Sequence, residues 1–87
     1  MTAEFAPYAE YDPGSDAVYV QLSDARVTSS SPLDDWRILD RSASGSVVGV
    51  EFLGVSGGVD LSGVPNEQLV ERLIEDLQRG IRLSLRT

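Results

Sequence analysis

Two periods divide this chain. Up to about residue 53 apolar and polar residues alternate, the two-residue period of half-buried strands; beyond residue 64 apolar residues recur every three or four positions. The first region predicts a strand near residues 5–11, pushed to a sheet edge by Pro7, which has no amide to donate. Residues 12–16 (Asp-Pro-Gly-Ser-Asp) read as a tight turn, with Asp12 bonding the amides ahead of it and Pro13 presetting φ. Residues 17–23 return as a second strand, with Val18, Val20 and Leu22 opposite Ala17, Tyr19 and Gln21. Asp24 and Ala25 make a tight connection into a polar, serine-rich edge strand over residues 26–30, which Pro32 ends. Trp36, Arg37, Ile38 and Leu39 centre a strand over 36–41, and Ser42 to Gly45 has the composition of a four-residue hairpin loop. Residues 46–53 are the most strongly strand-like, with Val48, Val50 and Phe52 on one face and Val47, Gly49, Glu51 and Leu53 on the other. Four glycines in residues 54–63 read as a flexible connector.

The second region predicts a helix over about 65–79. Pro65 suits its first turn, Glu67 its positive end, and Leu69, Val70, Leu73, Ile74 and Leu77 form one apolar stripe. Glu75 and Arg79 stand four residues apart in the favourable order, and Gly80 is placed to cap the C-terminus. Ile81, Leu83 and Leu85 then alternate with polar residues, predicting a short terminal strand over 81–86 that joins the sheet or reaches across to another copy. The whole is a single α+β domain over residues 1–87: an antiparallel meander of four or five strands, one C-terminal helix and a short terminal strand.

Composition narrows the chemistry more than it identifies it. At about 0.05–0.15 kcal/mol per residue, a chain of 87 residues has net stability of roughly 4 to 13 kcal/mol. Chains this small commonly add disulfides, metals or self-association. There is no cysteine, histidine or lysine; all seven basic residues are arginine. Disulfides, thiolate or imidazole metal sites, Schiff bases, a phosphate-binding lysine and a histidine-activated nucleophile are therefore all excluded. Self-association is the remaining supplement, and a homodimer is the expectation. Residues 1–60 carry ten acidic groups and three arginines, while residues 61–87 carry four of each, so the net charge of −7 lies in the strand-rich part. Such a surface repels nucleic acid and suits a basic partner. No apolar run approaches the ~20 residues of a membrane span and the start has no signal-peptide pattern, which predicts a cytoplasmic protein with no membrane partner.

One set of residues resembles a known family. Tyr11-Asp12-x-x-x-Asp16-x-x-Tyr19-Val20-x-Leu22, followed by Asp40 and Gly45-x-Val47-Val48-Gly49-Val50-Glu51-Phe52-Leu53, is similar to the bacterial, archaeal and phage proteins grouped as domain of unknown function 2283. The likeness covers about residues 9–53, with Tyr11, Asp12, Asp16 and Tyr19 as its turn signature. It implies a small antiparallel sheet, frequently followed by a helix, with no established activity. Some members are encoded beside a small toxin, which implies an antitoxin-like role for part of the family. Ser42, Ala43 and Ser44 depart from the acidic residues more common there, and the helix and final strand extend beyond the shared core.

The candidate chemistry is sparse. Asp12 and Asp16 fail the calcium-loop spacing, because Gly14 and Ala17 stand at the third and sixth positions, and turn capping explains them better. Residues 54–63 match no phosphate-binding motif. Asp34, Asp35, Asp40 and Glu51 could converge on a divalent ion in a small metal-dependent hydrolase, but pairing of Glu51 with an arginine on a neighbouring strand is the expected arrangement. Trp36 is either an interface residue or a core filler. The helix covers one sheet face, leaving Tyr19 and Leu39 on the other, and an uncovered apolar face favours dimerisation. The reading is a non-enzymatic protein-interaction module without cofactor, metal or catalytic residues. It engages a small basic protein, antitoxin-like, with Trp36, Asp40, Glu51, Ile81, Leu83 and Leu85 as candidate interaction residues. The alternatives are the hydrolase and an orphan protein that binds only itself.

Overall fold

The computed structural model describes residues 4–84. Five strands form one antiparallel sheet: β1 (Tyr8–Asp12), β2 (Ala17–Gln21), β3 (Ser29–Pro32), β4 (Arg37–Arg41) and β5 (Val47–Leu53). A single helix, α1 (Glu67–Glu75), lies between two short strands, β6 (Val59–Asp60) and β7 (Leu83–Ser84), which pair with each other in parallel. The expected α+β class therefore holds.

The order of strands is not that of a meander. It runs β1-β2-β5-β4-β3, so β5 is inserted between the first hairpin and the second. β5 is the longest strand and its Val48, Val50 and Phe52 are all buried, so the central position hides most apolar surface. The tight turn expected at Asp24 and Ala25 is instead part of a longer link over residues 22–28, which delivers β3 to the far edge beside β4. Pro32 is the last residue of β3 rather than its terminator. Leu33 N donates to Arg37 O at 2.8 Å; since bonded pairs alternate along an antiparallel ladder, the Pro32 nitrogen faces away from β4, where no donor is needed.

Alternation assigns the faces of β2 and β5 correctly except at one irregularity. Val18 and Val20 of β2, Leu39 of β4, and Val50 and Phe52 of β5 enter the main core. Between Asp40 and Arg41 the β4–β5 register shifts, so that Arg41 pairs with Val47. Val47 is thereby drawn toward the core, against the expected alternation, because a bulge places two residues opposite one. Leu39 is buried, and Ile38 takes the place expected for it on the opposite face.

The glycine-rich stretch is the largest departure from expectation. Residues 54–63 contain a 3-10 turn (Val55–Gly57) and β6, and Val55, Val59 and Leu61 are buried in the core together with Val64. The glycines let the backbone bend sharply, while the apolar residues between them are spaced to reach the sheet. The segment is thus part of the hydrophobic cover. α1 supplies the rest of that cover, with Val70 and Ile74 buried and Leu73 and Leu77 partly so, packing over β1 and β2.

The helix is shorter than expected at both ends. Asn66 is its N-cap, in the left-handed region at φ 56°, so Pro65 lies before the helix. At the other end Leu77 N bonds Ile74 O and Gln78 N bonds Glu75 O in tightened turns, and Gln78 turns left-handed at φ 54°, two residues ahead of Gly80. Arg79 consequently lies outside the helix and rests 5.5 Å from the Tyr11 ring centroid in place of an ion pair with Glu75. The terminal strand is described only at Leu83 and Ser84, where it pairs with β6 of the same chain instead of joining the main sheet; Leu85 lies outside the described residues.

One charged side chain is buried among the described residues. Arg37 is 8% exposed and projects from the covered face of β4. Its Nε and Nη2 donate to Asp34 Oδ2 at 3.0 and 2.8 Å, and its Nη1 donates to the main-chain carbonyls of Asp60 (3.1 Å) and Ser62. A carboxylate oxygen of Asp60 stands 3.8 Å from Nη2. Arg37 therefore fastens the glycine-rich segment to the sheet. Replacing it with methionine strands those carbonyls without a donor and should cost about 3 kcal/mol in urea unfolding, a large part of the total. Asp34→Asn, at an exposed carboxylate, should cost under about 1 kcal/mol. An Arg37→Met variant as stable as the parent would contradict this role.

Candidate functional site

The uncovered face of the sheet is an ordered lattice, because cross-strand partners share a face. One row runs Tyr8, Gln21, Gly49, Asp40, Ser30 from edge to edge; the next runs Glu10, Tyr19, Glu51, Ile38, Pro32. At the end of the face Asp12 opposes Ala17, which opposes Leu53. Four carboxylates and two tyrosines lie here, and no arginine does.

Tyr19 organises this face. Its phenol crosses β5 above Gly49 and donates to Asp40 Oδ2 on β4 at 3.0 Å. A Cβ on Gly49 would stand 2.0 Å from the Tyr19 hydroxyl oxygen and 2.5 Å from Cζ, so only glycine leaves room for the ring. Asp40 accepts a second hydrogen bond from Ser30 Oγ at 2.6 Å, tying β2, β4 and edge strand β3 together. Burial first, then the hydrogen bond to Asp40 and the charge of that carboxylate, push the Tyr19 phenol up to about 12. Tyr8 extends the network at the other edge, donating to Gln21 Oε1 at 2.9 Å.

The other signature residues are also structural. Asp12 accepts from Gly14 N at 3.0 Å and from Ser15 Oγ at 2.9 Å, capping the β1–β2 turn as expected. Asp16 does something else. Left-handed at φ 53°, it accepts from Ser56 N at 3.0 Å and Ser56 Oγ at 2.7 Å, while its carbonyl takes Val55 N at 3.0 Å. It fastens the 3-10 turn to the first hairpin. Tyr11 belongs to the covered face and packs against the core beneath Arg79.

The remaining candidates separate. Asp40 and Glu51 share the open face, but Asp40 is committed to Tyr19 and Ser30, and Glu51 makes no ion pair among the described residues. The expected arginine partner is missing because Arg37 and Arg41 alternate to the other face of β4, leaving Ile38 opposite Glu51. Asp34 pairs with Arg37 on the covered side; that hydrogen bond, then one from the Trp36 amide, holds its carboxyl below the usual range. No group of three or more carboxylates among the described residues is arranged to hold a metal ion. Trp36 is not a core filler; it is 64% exposed. Ile81 and Leu83 pack partly buried against the core, which removes most of their surface from any partner. Arg37, Gly49, Glu10 and Ser30 escaped the sequence reading. Gly49 had a signal in the spacing of the family motif, whereas the partners of Arg37 lie 23 and 25 residues away along the chain.

Two measurements test the Tyr19 arrangement. Gly49→Ala should cost about 1–3 kcal/mol by displacing the ring, and combining it with Tyr19→Ala should restore part of that loss; strictly additive costs would contradict the crossing geometry. The ordinary phenol value of 10 lies below the folded value, so the unfolded chain releases this proton first. The stability it contributes is complete below pH 10 and lost as pH rises toward 12. Lysine and cysteine are absent, so Tyr19→Phe should visibly flatten the alkaline loss of stability; an unchanged slope would refute the linkage.

No curated protein and no solved structure matches the chain. The family described as "Protein of unknown function (DUF2283)" matches residues 9–56. That span runs from β1 through the sheet's central strand to the 3-10 turn that Asp16 holds, and includes Tyr19, Asp40, Gly49 and Glu51. By this match over more than half of its length, the chain belongs to the DUF2283 family.

Proposed function

We propose that this protein is a non-enzymatic interaction module that binds a small basic protein through the uncovered face of its sheet, in the manner of an antitoxin neutralising its partner. The observation that carries the reading is the row Glu10, Tyr19, Glu51 across three adjacent strands, in which neither carboxylate has an ion pair among the described residues. Tyr19 between them is held in place by Asp40, so the row offers a rigid aromatic surface flanked by two negative charges. A cationic surface would gain both charges and the ring without first rearranging this face. A second copy meeting the same face would set these carboxylates against their own counterparts, which favours a basic partner over self-association there. The antitoxin-like part draws on the family, and the choice of a basic partner on charge.

The test is capture of binding proteins from source lysate at low and moderate salt, comparing the parent with a Glu10→Gln/Glu51→Gln variant shown to be folded. A small basic protein retained in stoichiometric amount by the parent, weakened by salt and lost with the variant, is the expected result. Equal retention by both, or retention of acidic proteins only, would overturn the assignment to this face.

A further inference from the structure

Trp36 lies at the end of β4, beyond the rows of carboxylates, and is the most exposed large apolar side chain among the described residues. Its backbone is nonetheless fixed. Trp36 N donates to Asp34 Oδ1 at 2.9 Å, and its carbonyl accepts from Leu53 N at 2.8 Å. The indole lies against Gly54, where a Cβ would approach it to 3.0 Å and where φ is +63°, so glycine is required on both counts. The rest of the indole is open to solvent. An exposed ring held this firmly is a preorganised stacking surface.

Beside it runs a groove of about 410 Å³, with Phe52, Leu53 and Val59 along its apolar side and Gly57 and Gly58 as a bare backbone wall. Charge selects what fits. The groove wall carries two carboxylates, Asp34 and Asp60, against the single guanidinium of Arg37, so its lining is net negative. Residues 1–60 carry a net −7. A cation is favoured over an anion or a neutral ring.

We propose that this groove receives an arginine side chain of the basic partner, with the guanidinium stacked on the open face of Trp36 and the methylene stem along Leu53. A planar guanidinium stacks on an indole more effectively than an ammonium does, and its stem suits an apolar floor. The choice of a cation rests on the basic-partner reading. The site is nevertheless separate from the Glu10–Tyr19–Glu51 row and can fail separately.

Trp36 is the single tryptophan of the chain, so its fluorescence reports this groove directly. The full chain is titrated at constant ionic strength with a blocked Gly-Arg-Gly peptide and with its lysine and citrulline counterparts. Amide NMR shifts locate each peptide. The arginine peptide should give a saturable change with a dissociation constant at least about tenfold below that of the citrulline peptide, with lysine between them. Shifts should centre on Trp36, Gly54, Gly57 and Gly58. Trp36→Ala should abolish the NMR shifts, and Glu10→Gln/Glu51→Gln should leave this binding unchanged. No saturable change up to ~10 mM, or equal binding of citrulline, overturns the proposal. Shifts confined to Glu10, Tyr19 and Glu51 also overturn it, while leaving the sheet-face reading intact.

Discussion

A guanidinium buried beside an apolar core is tolerable only when its donors find acceptors, and Arg37 does so with four hydrogen bonds and an ion-pair contact, drawing a distant stretch of backbone onto the sheet. Its Nη1 needs acceptors, and the carbonyls of Asp60 and Ser62 supply them. Bringing those carbonyls into reach also brings Val59, Leu61 and Val64 down onto the covered face. Asp16 fixes the start of the same segment by binding Ser56, and the β6–β7 pairing fixes its later part. Three polar attachments thus turn a glycine-rich stretch into half of a hydrophobic cover.

The division of labour between the two faces follows from that solution. The covered face takes the valines, Leu39 and Phe52, together with both arginines of β4. The open face is left with carboxylates, tyrosines and Ile38, and it is braced internally by Tyr19 crossing Gly49 to Asp40. Several conspicuous residues of the family motif are consequently braces: Asp12 closes a turn, Asp16 ties a loop, and Asp40 anchors a phenol. Glu10 and Glu51 have no such bracing role and make no ion pair among the described residues.

Local pattern made the strands, the first turn, the 42–45 hairpin and the apolar stripe of the helix legible from sequence, because each depends on neighbours within a few residues. Strand order was not legible. It depends on the competition of strands for the central position, which β5 wins by burying Val48, Val50 and Phe52. The role of residues 54–63 was hidden for a related reason: glycine content suggested freedom, while their order comes from Arg37 and Asp16, contacts distant in sequence. On the open face, the position of Asp40 near the hairpin was readable, but its commitment to Tyr19 was not. Pairing of Glu51 with an arginine on a neighbouring strand is the expectation from sequence, and no such pair forms among the described residues because Arg37 and Arg41 lie on the other face of β4. Trp36 is readable as either core or surface from sequence, because its exposure depends on its seat against Gly54, eighteen residues away.

Hydrogen exchange at the amides of Val55, Val59 and Leu61 tests this account most directly, since all three donate to backbone carbonyls outside their own segment: Asp16, Arg82 and Ser84. If the glycine-rich segment is an integral cover, these amides exchange only through global unfolding, as slowly as those of β5. Exchange at the rate of an open loop, with β5 still protected, would mean that the segment is a flexible connector and that α1 alone covers this face of the sheet.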